Sequence, residues 1–565
     1  MLLTGQNIIK PNSGWVAGVN HGSHDSSAVL LHEGKTIVFI EQERLSRRKH
    51  AEGESPSQAL SECLRYAGIT IRDLDCIALG SDHEALAHWL GLSEEGKKAD
   101  LPYDSFEHLF AGNQFTRADI PPIVRVRHHL SHAASAFFPS GFNDAAALVM
   151  DAMGEDVSST IFKCAGNKLE LKSFYNVEDS LGFFYEAASE YAGFNKMEAG
   201  KFMGLASYGR PNMKMPIQPD VNATGQIWTR RAHANATGRN GINLRHADLL
   251  NHFQRHHFPY SAGSADEPMA YADFAASAQH ALESCVLALA RRAIEETGSR
   301  NLVLAGGVAL NCSANGLLAR SNIAQSMYVQ PAASDVGVAL GAALLASAEL
   351  YGAKFSPTRM THPYWSLEDR DEHVARALVD AKLAFTRLSN EQVGQSVGDI
   401  ISNGGIVAWH QGRAEVGPRA LGARSLLGNP GKRQTLIKMN KIKERELWRP
   451  LAPSVLEESF EEYFDGIPNP FMIVAASVKE HVRNRIPAIV HVDGSARPHV
   501  VTKNSNPTYW LLLKRVKEKT GLPIVINTSL NGKGEPICFR AEDSIRFFLT
   551  HDIDALAINN FLVEK

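Results

Sequence analysis

The chain has 565 residues, 44% hydrophobic and 21% charged, with a formal net charge of −3. That length calls for two or three domains, and the composition is globular rather than disordered. The slightly acidic balance argues against a protein that lives on nucleic acid, so no such partner is expected.

The six cysteines (Cys63, Cys76, Cys164, Cys285, Cys312 and Cys538) are scattered without a C-x-x-C pair. This fits reduced thiols and a cytoplasmic setting better than a disulfide framework or a zinc ribbon. The opening MLLTGQNIIKPNSGW has neither a charged n-region nor an apolar h-region, so no signal peptide is expected. GVALGAALLASA is too short an apolar run to suggest a membrane span.

Residues 15–45 read as a strand, the polar loop HGSHDSS, a second strand, a turn at Glu33-Gly34 and a third strand. Residues 146–175 repeat that order, with a turn at Gly166-Asn167, which suggests an internal duplication. Two such units resemble the actin/hexokinase-type ATPase fold; two ordinary hairpins would read the same way. Helical spacing follows at 56–67 and 270–297. NLVLAGGVALN (301–311) reads as a buried strand entering a Gly-rich turn, and 335–352 as a helix of small residues. Residues 211–262 form a polar insertion with His233, His246, His252, His256 and His257, by default solvated surface and alternatively an acceptor-binding lid. The aperiodic, proline-bearing 353–367 marks a boundary. Beyond it come a helix (369–381), the short strand AFTRL, a helix (391–402) and the strand GIVAWHQG, the start of a second α/β domain.

RHHLSHAASAFFPSGF (127–142) reads as a helix stopped by Pro139 and Gly141. His128 and His132 are four apart, on one face, as two ligands of one metal would be; a surface or core pair is the plainer reading. Asp151, at the end of LVMD, and Asp335, at the head of the small-residue helix, could complete a mixed nitrogen/oxygen set suited to Fe(II), Mn(II) or Zn(II). Either could equally be a turn or cap residue. His24, beside Asp25 in the first polar loop, could take a proton from a hydroxyl, or could sit in an Asx-type turn. Gly306 and Gly307 allow close backbone approach to a ligand, with Asn311 as a polar contact. Lys201 lies in the Gly-spaced EAGKFMGLASYG.

Between Arg413 and Arg449 ten Lys/Arg face three acids, Glu415, Glu444 and Glu446. GRAEVGPRALGARS carries Arg419 and Arg424; KIKERELWRP carries Lys443 and Arg449. Arginine interleaved with Gly and Pro suits loops that wrap anions, and bidentate Arg suits phosphate oxygens. Arg497 and Ser529 could add donors. An RNA-binding patch would call for interleaved aromatics, and the stretch has a single one, Trp448.

Taken in order, EQERLSRRKH, HHLSHAASAFF, LGFFYE, GKFMGLASYG, AGGVALN, SDVGVALGAA, WHQGRAEVGPRALGARSLL, KERELWRPLAPS, SARP and INTSLNGKGEP resemble the NodU/CmcH carbamoyltransferases, among them the O-carbamoyltransferases of antibiotic tailoring. The resemblance implies an α/β chain of two domains: a duplicated actin/hexokinase-like, Kae/TsaD-type domain (1–358) with a metal site, and a YrdC-like α/β domain (368–565) that forms carbamoyl-adenylate. It implies metal ligation, usually of iron, by His128, His132, Asp151 and Asp335, and His24 as general base. It implies a nucleotide contact at Asn311, beside Gly306 and Gly307. Arg419, Arg424, Lys443, Arg449, Arg497 and Ser529 would hold carbamoyl phosphate and ATP, with Mg. The expected activity is transfer of a carbamoyl group to a small hydroxyl-bearing acceptor. A tRNA threonylcarbamoyl synthase and a non-enzymatic sugar-kinase-like sensor are the other classes.

Overall fold

The computed structural model describes residues 12–219, 227–228, 238–256 and 268–565, with the side chains of Lys196 and of 227–228 and 238–245 left aside. His233 and His257 lie outside the described residues. The chain forms two compact units. One comprises Met1–Gln42 and Glu52–Met360, the other Glu43–Ala51 and Thr361–Lys565.

The first unit holds two five-stranded sheets. In one, β1 (Trp15–Asn20), β2 (Ser27–His32), β3 (Lys35–Glu41), β4 (Cys76–Leu79) and β5 (Ile123–Arg125) lie in the order β3-β2-β1-β4-β5. The other is built from β6 (Asp144–Gly154), β7 (Val157–Ala165), β8 (Lys168–Asn176), β9 (Asn301–Ala305) and β10 (Ser326–Val329), in the order β8-β7-β6-β9-β10. In both sheets the hairpin strands pair antiparallel and the last two join in parallel. The strand–loop–hairpin repeat of the sequence is thus a repeat of topology. The strands are apolar runs because both central strands, β1 and β6, are almost wholly buried.

Two buried helices position the chemistry. All thirteen residues of His128–Ser140 are buried, and the helix packs on β6 and β9. Val338–Tyr351 packs on β1, β2 and β4 and on the first helix. A Cβ on Gly341 would stand 1.7 Å from the Ser131 carbonyl oxygen, so the helices close to this distance only because residue 341 is glycine. The helical stretch Asp335–Lys354 is long and apolar enough to cross a membrane, longer than the run read from sequence. It is mostly buried inside this unit, as a core helix is. Pro139 does not stop the first helix but lies in its last turn, and Gly141 closes it at φ 77°. The bond that Pro139 cannot donate is replaced: the Gln330 amide donates to the Ser135 carbonyl.

The second unit is built on an eight-stranded mixed sheet. Its order is Thr386–Arg387, Phe561–Glu564, Ala555–Ile558, Val407–His410, Arg424–Gly428, Ile524–Ser529, Ala452–Leu456, His499–Val501. Alternation along Val407–His410 feeds two cores. Val407 and Trp409 join Tyr509, Leu512 and Val516 under the helices Asn390–Ser402 and Pro507–Thr520, while Ala408 faces Leu426, Val455 and Ile526. Segment Glu43–Ala51 belongs here: Arg47 donates to the carbonyls of Ile537 (2.7 Å) and Pro536 (2.8 Å), and Arg44 to that of Gly417 (2.8 Å).

Candidate active site

In the first unit, four side chains from three distant parts of the sequence converge. His128 Nε2 and His132 Nε2 lie 3.1 Å apart, one turn apart on the buried helix. Asp151 Oδ2 is 3.2 Å from the former and 3.3 Å from the latter; Asp335 Oδ1 is 3.4 and 3.7 Å away. Asp151 sits where β6 loses register with β7, so its carboxylate turns off the ladder. Asp335 opens a single 3-10 turn ahead of Val338–Tyr351.

These four side chains are held from behind. Ser81 Oγ meets His128 Nδ1 at 3.0 Å. Asp151 Oδ1 accepts from the amides of Ala152 (2.8 Å) and Gly307 (3.1 Å), leaving Oδ2 to the histidines. Gly306, at φ 89°, makes this possible, since a Cβ there would stand 2.2 Å from the Met150 carbonyl oxygen. His129 points elsewhere, to Thr160 Oγ1 at 3.0 Å.

Burial by itself would favour neutral forms, but the cluster overrides it. Hydrogen bonds from the two histidines hold the Asp151 carboxyl well below its usual range, and the charge of His128, hydrogen bonds from His128 and His132, and the charge of His24 do the same for Asp335. Asp335 and Asp151 in turn raise His128 well above an ordinary histidine. Two imidazole nitrogens facing each other across 3.1 Å, with two carboxylate oxygens beside them, form a donor set that one divalent cation satisfies at once.

His24 stands next to this cluster, its Nδ1 3.9 Å from Asp335 Oδ2 and 3.8 Å from Asp25 Oδ2. Asn20 Nδ2 donates to the carbonyls of His24 (3.3 Å) and Asp25 (3.0 Å), and Asp25 adopts φ 55°. Burial pulls the His24 pKa down, but its bond to Asp25 and the charges of Asp335, Asp25 and Asp151 outweigh that and raise it to about 9.

Asn311 is occupied internally. It exchanges both amide hydrogen bonds with Gln279 (2.9 and 3.0 Å) and caps Cys312–Arg320 through the Ala314 amide. Lys201 pairs with Glu198 at 2.6 Å. In the polar insertion, His246 pairs with Glu190 at 3.0 Å and His252 stacks on His256.

The second unit gathers cations. Lys443 is buried, and its Nζ donates to Ser529 O (2.5 Å), Asn531 O (3.0 Å) and Asn531 Oδ1 (2.8 Å), with Ser529 Oγ at 3.3 Å. Burial depresses its ammonium strongly, and the charges of Arg445, Arg449 and Lys49 add to this. Arg445 is lowered to about 9, by burial and then by Arg449, with Glu446 opposing and Arg497 reinforcing. Lys443, Arg445, Arg449 and Arg497 therefore act on one another as like charges, with Arg449 paired to Glu446 at 3.5 Å and Ser529 bonded to Lys443, and clustered cations of this kind suit an anion. Arg424 Nη1 donates to the carbonyls of Gln411, Gly412 and Ala423 and Nε to that of Phe539, while its buried Nη2 has no hydrogen-bond partner among the described residues. Arg419 lies half-buried in the loop before that strand.

Arg445 and Lys49 were not singled out by sequence. Arg445 was visible in KIKERELWRP without a period to mark it, and Lys49 lies almost 400 residues from Lys443. Ser81, a serine at the end of β4, carries no local signal at all.

A family model described as "Carbamoyltransferase N-terminus" matches residues 16–344 and one described as "Carbamoyltransferase C-terminus" matches 398–565. The chain is 36% identical to nodulation protein NolNO of Sinorhizobium fredii, over 96% of this chain and 79% of that one. Nodulation protein U of the same organism is 27% identical over 91% and 93%. An uncharacterized Synechocystis protein is 35% identical over 97% and 96%. Among solved structures, full-length HypF in its phosphate- and nucleotide-bound form aligns at TM-score 0.38 and 13% identity, covering 62% of this chain and 58% of that one, a likeness too distant to assign a fold or an activity.

Proposed function

The chain belongs to the carbamoyltransferase family, and from that premise we propose that it carries a carbamoyl group from carbamoyl phosphate, by way of carbamoyl-adenylate made with ATP and Mg, to a hydroxyl of a small-molecule natural product, as in antibiotic tailoring. In this reading the first unit is a Kae/TsaD-type transfer domain and the second a YrdC-like activating domain.

The observation that carries the proposal is the cation neighbourhood of Lys443, Arg445, Arg449 and Arg497. Carbamoyl phosphate and ATP are polyanions, and clustered Lys and Arg are suited to bind their phosphate oxygens. Lys443 and the guanidinium groups hold the phosphate oxygens while water cleaves carbamoyl phosphate to carbamate and inorganic phosphate, and a carbamate oxygen then attacks the α-phosphate of ATP as pyrophosphate leaves. Ser529, hydrogen-bonded within the same loop, orients the donor.

Transfer belongs to the first unit. His24 Nδ1 takes the proton of the acceptor hydroxyl as its oxygen attacks the carbamoyl carbon and AMP departs. His128, His132, Asp151 and Asp335 fit a divalent metal, Fe(II) by resemblance and Mn or Zn by donor chemistry. When bound it supplies Lewis acidity and cancels the carboxylate charge that otherwise keeps His24 protonated. Asn20 fixes the His24 loop, and Ser81 fixes the ring of His128.

One assay tests the whole: pyrophosphate release from ATP that depends on carbamoyl phosphate, with a small hydroxyl acceptor or tRNA added. Release without any need for tRNA, and an acceptor heavier by one carbamoyl group, are expected. A requirement for threonine, bicarbonate and tRNA would replace this reading with tRNA threonylcarbamoylation; ATP binding without turnover would replace it with a sensor.

A further inference from the structure

A second convergence of metal-binding side chains lies in the first unit, apart from the four residues above. His21 Nε2 lies 2.6 Å from Asp104 Oδ1, and His83 Nδ1 lies 2.8 Å from the same oxygen. All three ligand atoms fall within 4.8 Å of one another. His21 is fully buried, and His83 is 5% exposed. The three come from the loop after β1, the first residue of the helix His83–Leu90 and the turn Pro102–Asp104. No local structure requires them to meet.

The rest of the neighbourhood is arranged around that meeting point. Asp104 Oδ2 accepts from Arg125 Nε at 2.8 Å, so the carboxylate is gripped from outside and Oδ1 is directed to the imidazoles. A third imidazole adjoins. The Tyr103 ring lies 5.5 Å from His83 and 5.3 Å from His108. His108 Nε2 is buried with no hydrogen-bond partner, as is His21 Nδ1. A hydrogen-bonded bridge to one carboxylate needs a single imidazole. Bringing two onto one oxygen and burying the bare His21 Nδ1 costs desolvation that a bridge does not repay.

We propose that His21, His83 and Asp104 form a second divalent-cation site of the borderline, zinc-type class. Two imidazoles and a carboxylate are the three-ligand complement of such ions, with a further position for a fourth donor or water. The site is built on the same two segments as the first cluster. The loop after β1 carries both His21 and His24, and residues 81–83 carry Ser81, which holds His128, and His83. A cation here ties down the loop that presents His24.

The test is the metal stoichiometry of the full chain, stripped and titrated with Co(II), read by elemental analysis and by the visible ligand-field bands. Two equivalents are expected for the wild type, one for His83→Gln and for Asp104→Asn, and one for His132→Ala. Pairing the Co(II) bands lost in each variant with the bands of the wild type assigns the sites. Saturation of the wild type at one equivalent that only His132→Ala removes overturns the second site and leaves the first standing. Saturation at one equivalent that Asp104→Asn removes and His132→Ala spares supports the second site and overturns the first. Should either substitution at the second site fail to give native near-ultraviolet circular dichroism, the wild-type count together with that of His132→Ala decides: one equivalent retained in His132→Ala supports the second site, and none overturns it.

Discussion

Glu155 grips the amide of His128: its Oε1 and Oε2 lie 3.0 and 3.2 Å from that nitrogen, and Oε1 also accepts from the Asp82 amide at 2.9 Å. A buried carboxylate at φ 50° thus caps the helix that presents both histidines and pins the strand end that carries Ser81. The charge lies at a helix N-terminus, where it is favoured. Glu155→Ala leaves two buried amides without an acceptor and should cost about 2–4 kcal/mol, seen as a lower denaturation midpoint. Glu155→Gln should lose about half as much. Cobalt affinity at the His128 cluster should fall in both.

Arg445 carries an opposite expectation. The like charges of Arg449 and Arg497 oppose it while its Nε donates to the buried Asn440 Oδ1, so its removal trades relieved repulsion for one lost hydrogen bond and should change stability by less than about 1 kcal/mol. Carbamoyl-phosphate-dependent pyrophosphate release by Arg445→Ala should drop by about 100-fold, the scale of a lost charge-assisted bond to a reacting anion. A calorimetric scan and a coupled pyrophosphate assay on one preparation check both halves. A loss of stability in parallel with activity would mean that Arg445 is structural.

Pyrophosphate added to the wild type should raise its melting temperature, by a free energy of about 2.7 kcal/mol at a hundred times its dissociation constant. Lys443→Ala should abolish the shift.

His24→Ala should form carbamoyl-adenylate at the wild-type rate and transfer the carbamoyl group about 100- to 10,000-fold more slowly, the usual span for a lost general base. Separate measurement of pyrophosphate and carbamoylated product distinguishes the steps.

Acid should loosen the second unit before it affects any carboxylate. Burial lowers His499, bonded to Ser454 Oγ at 2.9 Å, to about 3, and burial followed by the charges of Arg424 and Arg540 lowers His410 well below its ordinary value. The unfolded chain takes up a proton at each near pH 6.5, whereas the folded chain refuses it. Stability is therefore full above pH 6.5 and falls as the pH drops, by about 1.4 kcal/mol per unit for His499 alone, down to about pH 3. Urea titrations from pH 7.5 to 4 measure the slope, and His499→Gln should flatten it.

The parts of this architecture that repeat at short range were open to reading from sequence. The i, i+4 spacing of His128 and His132 needs only helical geometry, and the two strand–loop–hairpin runs need only alternation of apolar strands and turns. Asp151 and Asp335 were suggested by their places at element ends, but their meeting rests on β6, β9 and two helices closing around Gly341, which no window of sequence contains. Ser81 and Glu155 act through one hydroxyl and one carboxylate on groups 47 and 27 residues away. Their residue types are as common on surfaces as in sites. Arg424 shows the converse limit: a basic motif marks charge, and only the fold reveals which of its nitrogens, Nη1 and Nε, donate to backbone carbonyls.

The placement of Glu43–Ala51 has a consequence for how the molecule can be made and divided. The chain leaves the first unit after Gln42, returns at Glu52 and leaves again after Met360. On the ribosome, Arg47 must wait for some 490 further residues before the carbonyls it bonds are synthesised. Neither unit is a contiguous gene segment. A fragment beginning at Thr361 would lack one of its own interior pieces, and adding residues 43–51 back as a peptide should restore its cooperativity. Recombination of family members at the apparent boundary would sever that peptide from its partners, so viable chimaeras should exchange the short segment together with the C-terminal half.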